Sequence, residues 1–474
     1  PTPPGPGQRA DWQGLHGAAG VVATATAARA HQGLTVVVAE SPLAARRWVN
    51  ELNFYAADLA VLHFPEWETL AYDVFSPHQD IISERLATLY NLPRLLSQST
   101  VLVVTAQTLL QKLPPRSYIE GGSIRLAVGQ QFDAHAQRRI FESAGYLAVD
   151  TVSSHGEFAI RGSLMDIFPM GSDEPIRIDL IDDEIESLRT FDPETQRTLA
   201  KIQQLEMLPA KEFPLDKAAI AGFRDRWHNT FNVDVRRCSI YQDISSGITP
   251  SGIEYYLPLF FDHLDSLFEF LPDNTLVFEA VPLTEAAHHF LDEVAERYEN
   301  LRHDLERPVL RPDALYLRSE ELGQRLRQLA RIALQGSGKH TRAFASQLPP
   351  DLHANPRARE PAQAVVDHLK HVQVPALFVA DTAGRREIFH EFLGKAGIRP
   401  VEVADFTEFR ACEAEYCITI APIEQGLWLP EFVVISEAQV YGHQLVADRK
   451  ARSNRVMDPE AIIRNLTELH IGDA

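Results

Sequence analysis

Short, continuously apolar runs separated by segments of helical spacing dominate the first third of this chain. Thr35-Val36-Val37-Val38-Ala39-Glu40, Ala60-Val61-Leu62-His63-Phe64 and Thr100-Val101-Leu102-Val103-Val104-Thr105 carry no polar face. A strand apolar on both sides must be covered on both sides, and strands that alternate with helices pair in parallel. Residues 43–55 read as one covering helix, with Ser41 as its N-cap and Pro42 at its first position. Residues 82–96 read as another. The same pattern returns much later, in a helix at 217–229, the apolar strand Leu276-Val277-Phe278 and an amphipathic helix at 284–301. The expected fold class is α/β: one parallel-sheet domain split by an inserted module. Insertion is tolerated where two loop ends lie close together.

The interruption has a different grammar. Pro114-Pro115 and Gly121-Gly122 mark its start, and a helix at 134–144 leads into it. Residues 158–168 are extended but broken at Arg161-Gly162, where glycine permits a bulge or tight bend. Pro169-Met170-Gly171-Ser172 supplies a turn. Ile176, Ile178 and Leu180 then alternate with Arg177, Asp179 and Ile181, the period of a strand with one buried face. Asp182-Asp183-Glu184 turns the chain, and 185–191 runs back. The result is a small β-rich sheet that exposes Arg161 and Arg177 among many carboxylates. From the residues alone these read as surface arginines neutralised by neighbouring acids.

Length and charge narrow the options. A chain of 474 residues is expected to hold three or four domains. Its net charge of −20 repels phosphate backbones and disfavours non-specific nucleic-acid binding. Cys238, Cys412 and Cys417 form neither a disulfide framework nor a zinc pattern, which suits a reducing cytoplasm. His288-His289 has no third ligand nearby. No run of about 18 apolar residues could span a membrane, and the opening PTPPGPGQ is not a secretory leader. Residues 335–363 have a linker composition. Beyond them, strands at 376–381, 400–404, 417–421 and 432–436 and a helix at 385–395 predict a second, smaller α/β domain.

The strings HGEFAIRGSLMDIFP and RIDLIDDEIESLRTFD resemble the excinuclease-A-binding domain shared by the excinuclease B subunit (UvrB) and the transcription-repair coupling factor family (Mfd). The coupling factors are the closer match, and FPEWETLAYDVFSPHQDIISERLATLYNL follows their pattern too. The resemblance implies a layout: 1–115 and 206–334 as the halves of a UvrB-like, helicase-like domain, 116–205 as the UvrA-binding module, 335–363 as linker and 364–460 as a third domain. Residues 461–474 would begin the connection to an RNA-polymerase-interacting domain. The excinuclease B subunit grips DNA with a long aromatic hairpin; the stretch from Tyr72 to Ile82 is too short for one. Arg161 and Arg177 match the two arginines the family uses to engage the excinuclease A subunit (UvrA), and Ile181 stands where a third, aromatic contact is expected. In the family a C-terminal domain masks this surface; here it is expected to be open.

The resemblance also invites a test for nucleotide chemistry. ATP hydrolysis on such a fold needs backbone amides around the phosphates, a Lys on the β/γ-phosphates, and a hydroxyl plus an acid for magnesium. In the turn His16-Gly17-Ala18-Ala19-Gly20-Val21, Gly20 takes the lysine slot and Val21 the hydroxyl slot. Where the family's acidic motif is expected stand Glu279 and Ala280, the latter without a carboxylate to orient water. Gly336-Ser337-Gly338-Lys339-His340 imitates a phosphate loop, but His340 replaces Ser/Thr, Ala333 replaces the first glycine and no strand is evident before it. Gly394-Lys395-Ala396 fails similarly. No cofactor, metal or catalytic residue is therefore expected.

The expected function is a monomeric, non-catalytic adaptor that recruits UvrA for transcription-coupled nucleotide excision repair. RNA polymerase and DNA would be bound, and ATP-driven translocation performed, by downstream domains. Two alternatives are an ATP-dependent DNA helicase-like enzyme with a non-standard nucleotide site, and a structural clamp regulating the motor domains of a longer chain.

Overall fold

The computed structural model describes residues 3–336, 341–355, 357 and 359–442. The chain divides into two compact units. One comprises Pro1–Gln13 with Val21–Phe344; the other comprises Gly14–Gly20 with Ala345–Ala474.

The first unit is built on a seven-stranded sheet. Its order is Thr341–Ala343, Arg9–Gln13, Ala330–Leu334, Leu276–Glu279, Leu34–Ala39, Thr100–Thr105, Ala60–His63. Every neighbouring pair is parallel. The continuous apolar runs lie at its centre: Leu34–Ala39 and Thr100–Thr105 are buried at every residue. The helix Pro42–Tyr55 starts as its sequence prescribes, with the Ser41 hydroxyl accepting from the Ala44 N–H. Three strands carried too weak a signal to be read from sequence. Arg9–Gln13 and Ala330–Leu334 place charged residues inside short strands, and Thr341–Ala343 falls in the stretch read as linker. Ala330–Leu334 corrects one expectation: a strand does precede Gly336. Residues 337–340 of that imitation phosphate loop lie outside the described residues.

The inserted six-stranded sheet runs Thr198–Ile202, Glu184–Phe191, Ile176–Ile181, Leu164–Ile167, Glu157–Arg161, Leu147–Ala148. It is antiparallel except for its last pair. The expected bend at Arg161-Gly162 is a two-residue hairpin, with Arg161 opposite Leu164 and Gly162 at φ +62°. Asp182 and Asp183 form the next hairpin turn, both at positive φ (48° and 59°), the conformation that matches the twist of the flanking strands. Ile176, Ile178 and Leu180 bury their side chains in the same core as Leu86 and Leu89 of the helix Gln79–Leu95.

That helix also anchors the chain's return from the insert. Arg85, fully buried, donates from Nε to Glu212 Oε1 at 2.8 Å and lies 4.4 Å from the Phe64 ring centroid. Trp67 Nε1 donates to the other Glu212 oxygen at 2.8 Å. A buried carboxylate that satisfies both an arginine and an indole fixes where residue 212 must sit.

The second unit is a five-stranded sheet, ordered Val401–Glu402, Tyr416–Ile420, Ala376–Ala380, Val433–Ser436, Leu427–Trp428. The first four strands are parallel and the last antiparallel. Phe378, Phe389, Leu393, Trp428 and Ile435 fill its core. Among the described residues no helix is long and apolar enough to cross a membrane, and no group of three His, Cys, Asp or Glu could hold a metal.

Candidate functional site: the charged face of the inserted sheet

One face of the inserted sheet is apolar and enters the core. The other is organised around Asp166. This aspartate interrupts the apolar strand Leu164–Ile167, sits opposite Arg177 in register, and has a side chain only 2% exposed. Arg177 donates to it bidentately, Nε to Oδ1 at 2.8 Å and Nη2 to Oδ2 at 2.9 Å. The guanidinium also lies 4.7 Å from the Phe191 ring centroid, and Nη1 reaches the Gln196 carbonyl at 3.4 Å. The hydrogen bond to Asp166 raises the Arg177 pKa.

Arg177 is thus not the exposed residue its alternation suggested: its side chain is 17% exposed. Period two assigns a residue to a face but says nothing of what covers that face. Here the guanidinium's aromatic neighbour, Phe191, belongs to a second small cluster with Val152, Ala159 and Phe168. Arg161 answers the expectation. It ends its strand at the hairpin, is 48% exposed, lies 4.0 Å from Asp166, and donates from Nη2 to the Asp150 carbonyl at 2.7 Å. Ile181 is 53% exposed at the next turn. The buried carboxylate therefore steadies one covered and one open arginine, with an open aliphatic residue on the same sheet.

Asp166 was missed as a functional residue although its signal was present: a lone acid inside Leu-Met-Asp-Ile-Phe implies a buried partner. Asp179 and Arg189 were also missed. They pair across adjacent strands, and Ser187 donates to the same Asp179 oxygen.

The nucleotide-site positions take a different form. Gly20 and Val21 lie in the first turn of the helix Ala19–His31, which follows the strand Arg9–Gln13, the place a phosphate loop occupies. In the second unit, the Ala18 N–H donates to the Gly426 carbonyl at 2.9 Å. The His16 N–H donates to Ser346 Oγ at 2.8 Å, and that hydroxyl donates to the Gly14 carbonyl at 2.7 Å. Gly17 has φ +55°, and a Cβ there would come within 2.5 Å of the Gly426 oxygen. Two amides of this turn are therefore engaged by the chain's own oxygens. Val21 is 3% exposed and belongs to the core.

In the first unit Glu279 is likewise committed. Its buried carboxylate lies 3.3 Å from Arg331 Nη1 and 3.6 Å from Arg9 Nη2, and Arg9 also approaches Asp11 at 3.5 Å. The Ala280 N–H donates to the Val38 carbonyl at 3.0 Å and simply continues the ladder. Gly394-Lys395-Ala396 ends the helix Ala383–Lys395, where Lys395 pairs with Glu391 at 2.9 Å. His289 lies near Glu293 at 3.8 Å on an exposed helix face.

Residues 124–213, which include the whole charged face described above, match the model of the UvrB interaction domain. Residues 368–440 match the model of the MFD D3 domain. The chain is 40% identical over 465 residues to the transcription-repair-coupling factor of Escherichia coli strain K12, an alignment covering 97% of this chain and 40% of that protein. This chain belongs to the transcription-repair-coupling factor family. A second such factor, from Haemophilus influenzae, is 35% identical across 93% of this chain and 39% of its own length. The factor of Myxococcus xanthus is 30% identical across 70% of this chain and 29% of its own length. The chain corresponds to an N-terminal region of these factors and spans about 40% of the length of the curated relatives it matches.

Proposed function

We propose that this chain is the non-catalytic adaptor part of a transcription-repair coupling factor, and that it recruits the excinuclease A subunit (UvrA) through the charged face of the inserted sheet. The recruited subunit would initiate transcription-coupled nucleotide excision repair at a stalled polymerase. ATP-dependent translocation and the contacts with RNA polymerase and DNA belong, in this reading, to the remainder of the full-length protein. The division proposed is 1–115 with 206–334 as a degenerate nucleotide-binding domain, 116–205 as the docking module, and 364–460 as a separate small domain. The setting is cytoplasmic and the chain a monomer.

The observation that carries the reading is Arg161: an open guanidinium held in place by a buried carboxylate and a backbone carbonyl, on the same sheet as the exposed Ile181. Guanidinium forks suit carboxylates on a partner and are frequent interface hot spots. A helicase-like enzyme is disfavoured because the one acid at the expected strand end, Glu279, is already neutralised by Arg9 and Arg331. The test is a binding titration of purified excinuclease A subunit against wild type and Arg161→Glu. Loss of binding by the variant supports the reading; equal affinity removes the proposed site. Equilibrium binding of Mg-ATP to the wild-type chain would support the enzyme instead.

A further inference from the structure

The row through Asp166 continues to the sheet's edge. Asp166 is opposite Arg177, Arg177 opposite Arg189, and Arg189 opposite Lys201. Three cations thus stand in register on three consecutive strands, spaced about 4.8 Å apart at the backbone. Like charges directly opposite one another destabilise a sheet, so each needs an acid or a compensating use. Arg177 has Asp166 and Arg189 has Asp179. Lys201 and, four residues before it, Arg197 are exposed and have no ion pair among the described residues. Leu199, between them in the chain, is 55% exposed and lies where the strand's pairing register shifts.

We infer that the docking surface extends past the Arg161–Ile181 corner to this edge, where Arg197, Leu199 and Lys201 form a second contact patch for an acidic, partly apolar surface of the partner protein. This rests on the docking reading above and adds residues the family resemblance did not supply. Charge complementarity selects the occupant: the chain carries a net charge of −20, yet this edge presents two unneutralised cations flanking a leucine. The strand Thr198–Ile202 is exposed at four of its five residues, so this sheet edge is open to a partner. The composition, an aliphatic anchor between cations, is that of an interface patch rather than of a uniformly solvated edge.

The experiment titrates purified excinuclease A subunit into three forms of the chain at two salt concentrations: wild type, Arg161→Glu, and the double variant Arg197→Glu/Lys201→Glu. The double variant is expected to bind about tenfold more weakly or worse, with a flatter salt dependence and an unchanged melting temperature. Normal affinity of the double variant beside lost affinity of Arg161→Glu overturns the extension and leaves the docking reading standing. Normal affinity of both variants defeats the docking reading itself. If the reversals lower the melting temperature, the neutral Arg197→Gln/Lys201→Gln pair replaces them, with weaker binding again expected and wild-type affinity again contrary. A duplex DNA probe is run in parallel: binding of DNA by wild type that the double variant loses, with excinuclease A affinity intact, would assign the edge to nucleic acid and overturn the inference.

Discussion

The strand end at Glu279 and the face around Asp166 each pair a buried acid with two arginines, and they do opposite things with them. Glu279 lies between Arg331 and Arg9 and beside Asp11, so the cluster closes on itself. Asp166 fully engages Arg177 but leaves Arg161 half open at 4.0 Å. On the proposed reading, a silent nucleotide site and a docking site differ in whether a charge is left over after internal pairing. Residue type does not separate them: both clusters contain the arginines and acids that a motif search would flag.

The largest expected effect is on folding and falls at Arg177. Arg177→Ala strands Asp166 in a buried position, and breaking such a pair costs about 3–5 kcal/mol; denaturant unfolding of wild type against variant measures it. A loss well under 1 kcal/mol would erase the distinction between the covered and open arginines. It follows that Arg177→Glu is a poor probe of docking, because lost binding and lost fold coincide. Arg161→Glu is the cleaner probe. Its affinity for excinuclease A is expected to fall about 100-fold, the size of a hot spot, with stability changed by less than about 1 kcal/mol because the side chain is largely solvated.

At the strand end, Glu279→Gln is expected to cost about 1–3 kcal/mol by leaving Arg331 short of its charged partner. Restoring the missing groups with Gly20→Lys and Val21→Ser is expected not to create Mg-ATP binding in a fluorescence titration, since Glu279 stays paired and amides of the turn stay engaged. Binding by that double variant would reopen the enzyme reading.

The smallest effect concerns the seam between the insert and its host. Glu206 accepts from Arg94, Tyr90 and Arg125, and these hydrogen bonds, Arg94 first, hold its carboxyl down at about 2. A depressed folded-state value means the stabilisation is present above the unfolded value of about 4.5 and is lost as pH falls toward 2. Glu206→Gln should therefore be less stable than wild type at pH 7 by under about 1 kcal/mol, and the gap should close in acid. A gap independent of pH would mean that the ion pairs contribute nothing.

Most of the fold was legible because its strands are either apolar throughout, as at 34–39 and 100–105, or strictly alternating, as at 176–181. The strands Arg9–Gln13 and Ala330–Leu334 were not, because their charges are satisfied only by each other and by Glu279, far away in sequence. The same physics explains the site. Arg161 could be placed from its position at a glycine turn, whereas the covering of Arg177 depends on Phe191 and Asp166, two strands that meet it only in the folded sheet.

The most direct test of the contrast is amide hydrogen exchange of the chain with and without saturating excinuclease A subunit. Added protection is expected in the strands Glu157–Arg161 and Ile176–Ile181 and their hairpin turns, and none at residues 14–21 or 276–280. Protection confined to the latter segments, or no protection in the inserted sheet, would contradict the contrast.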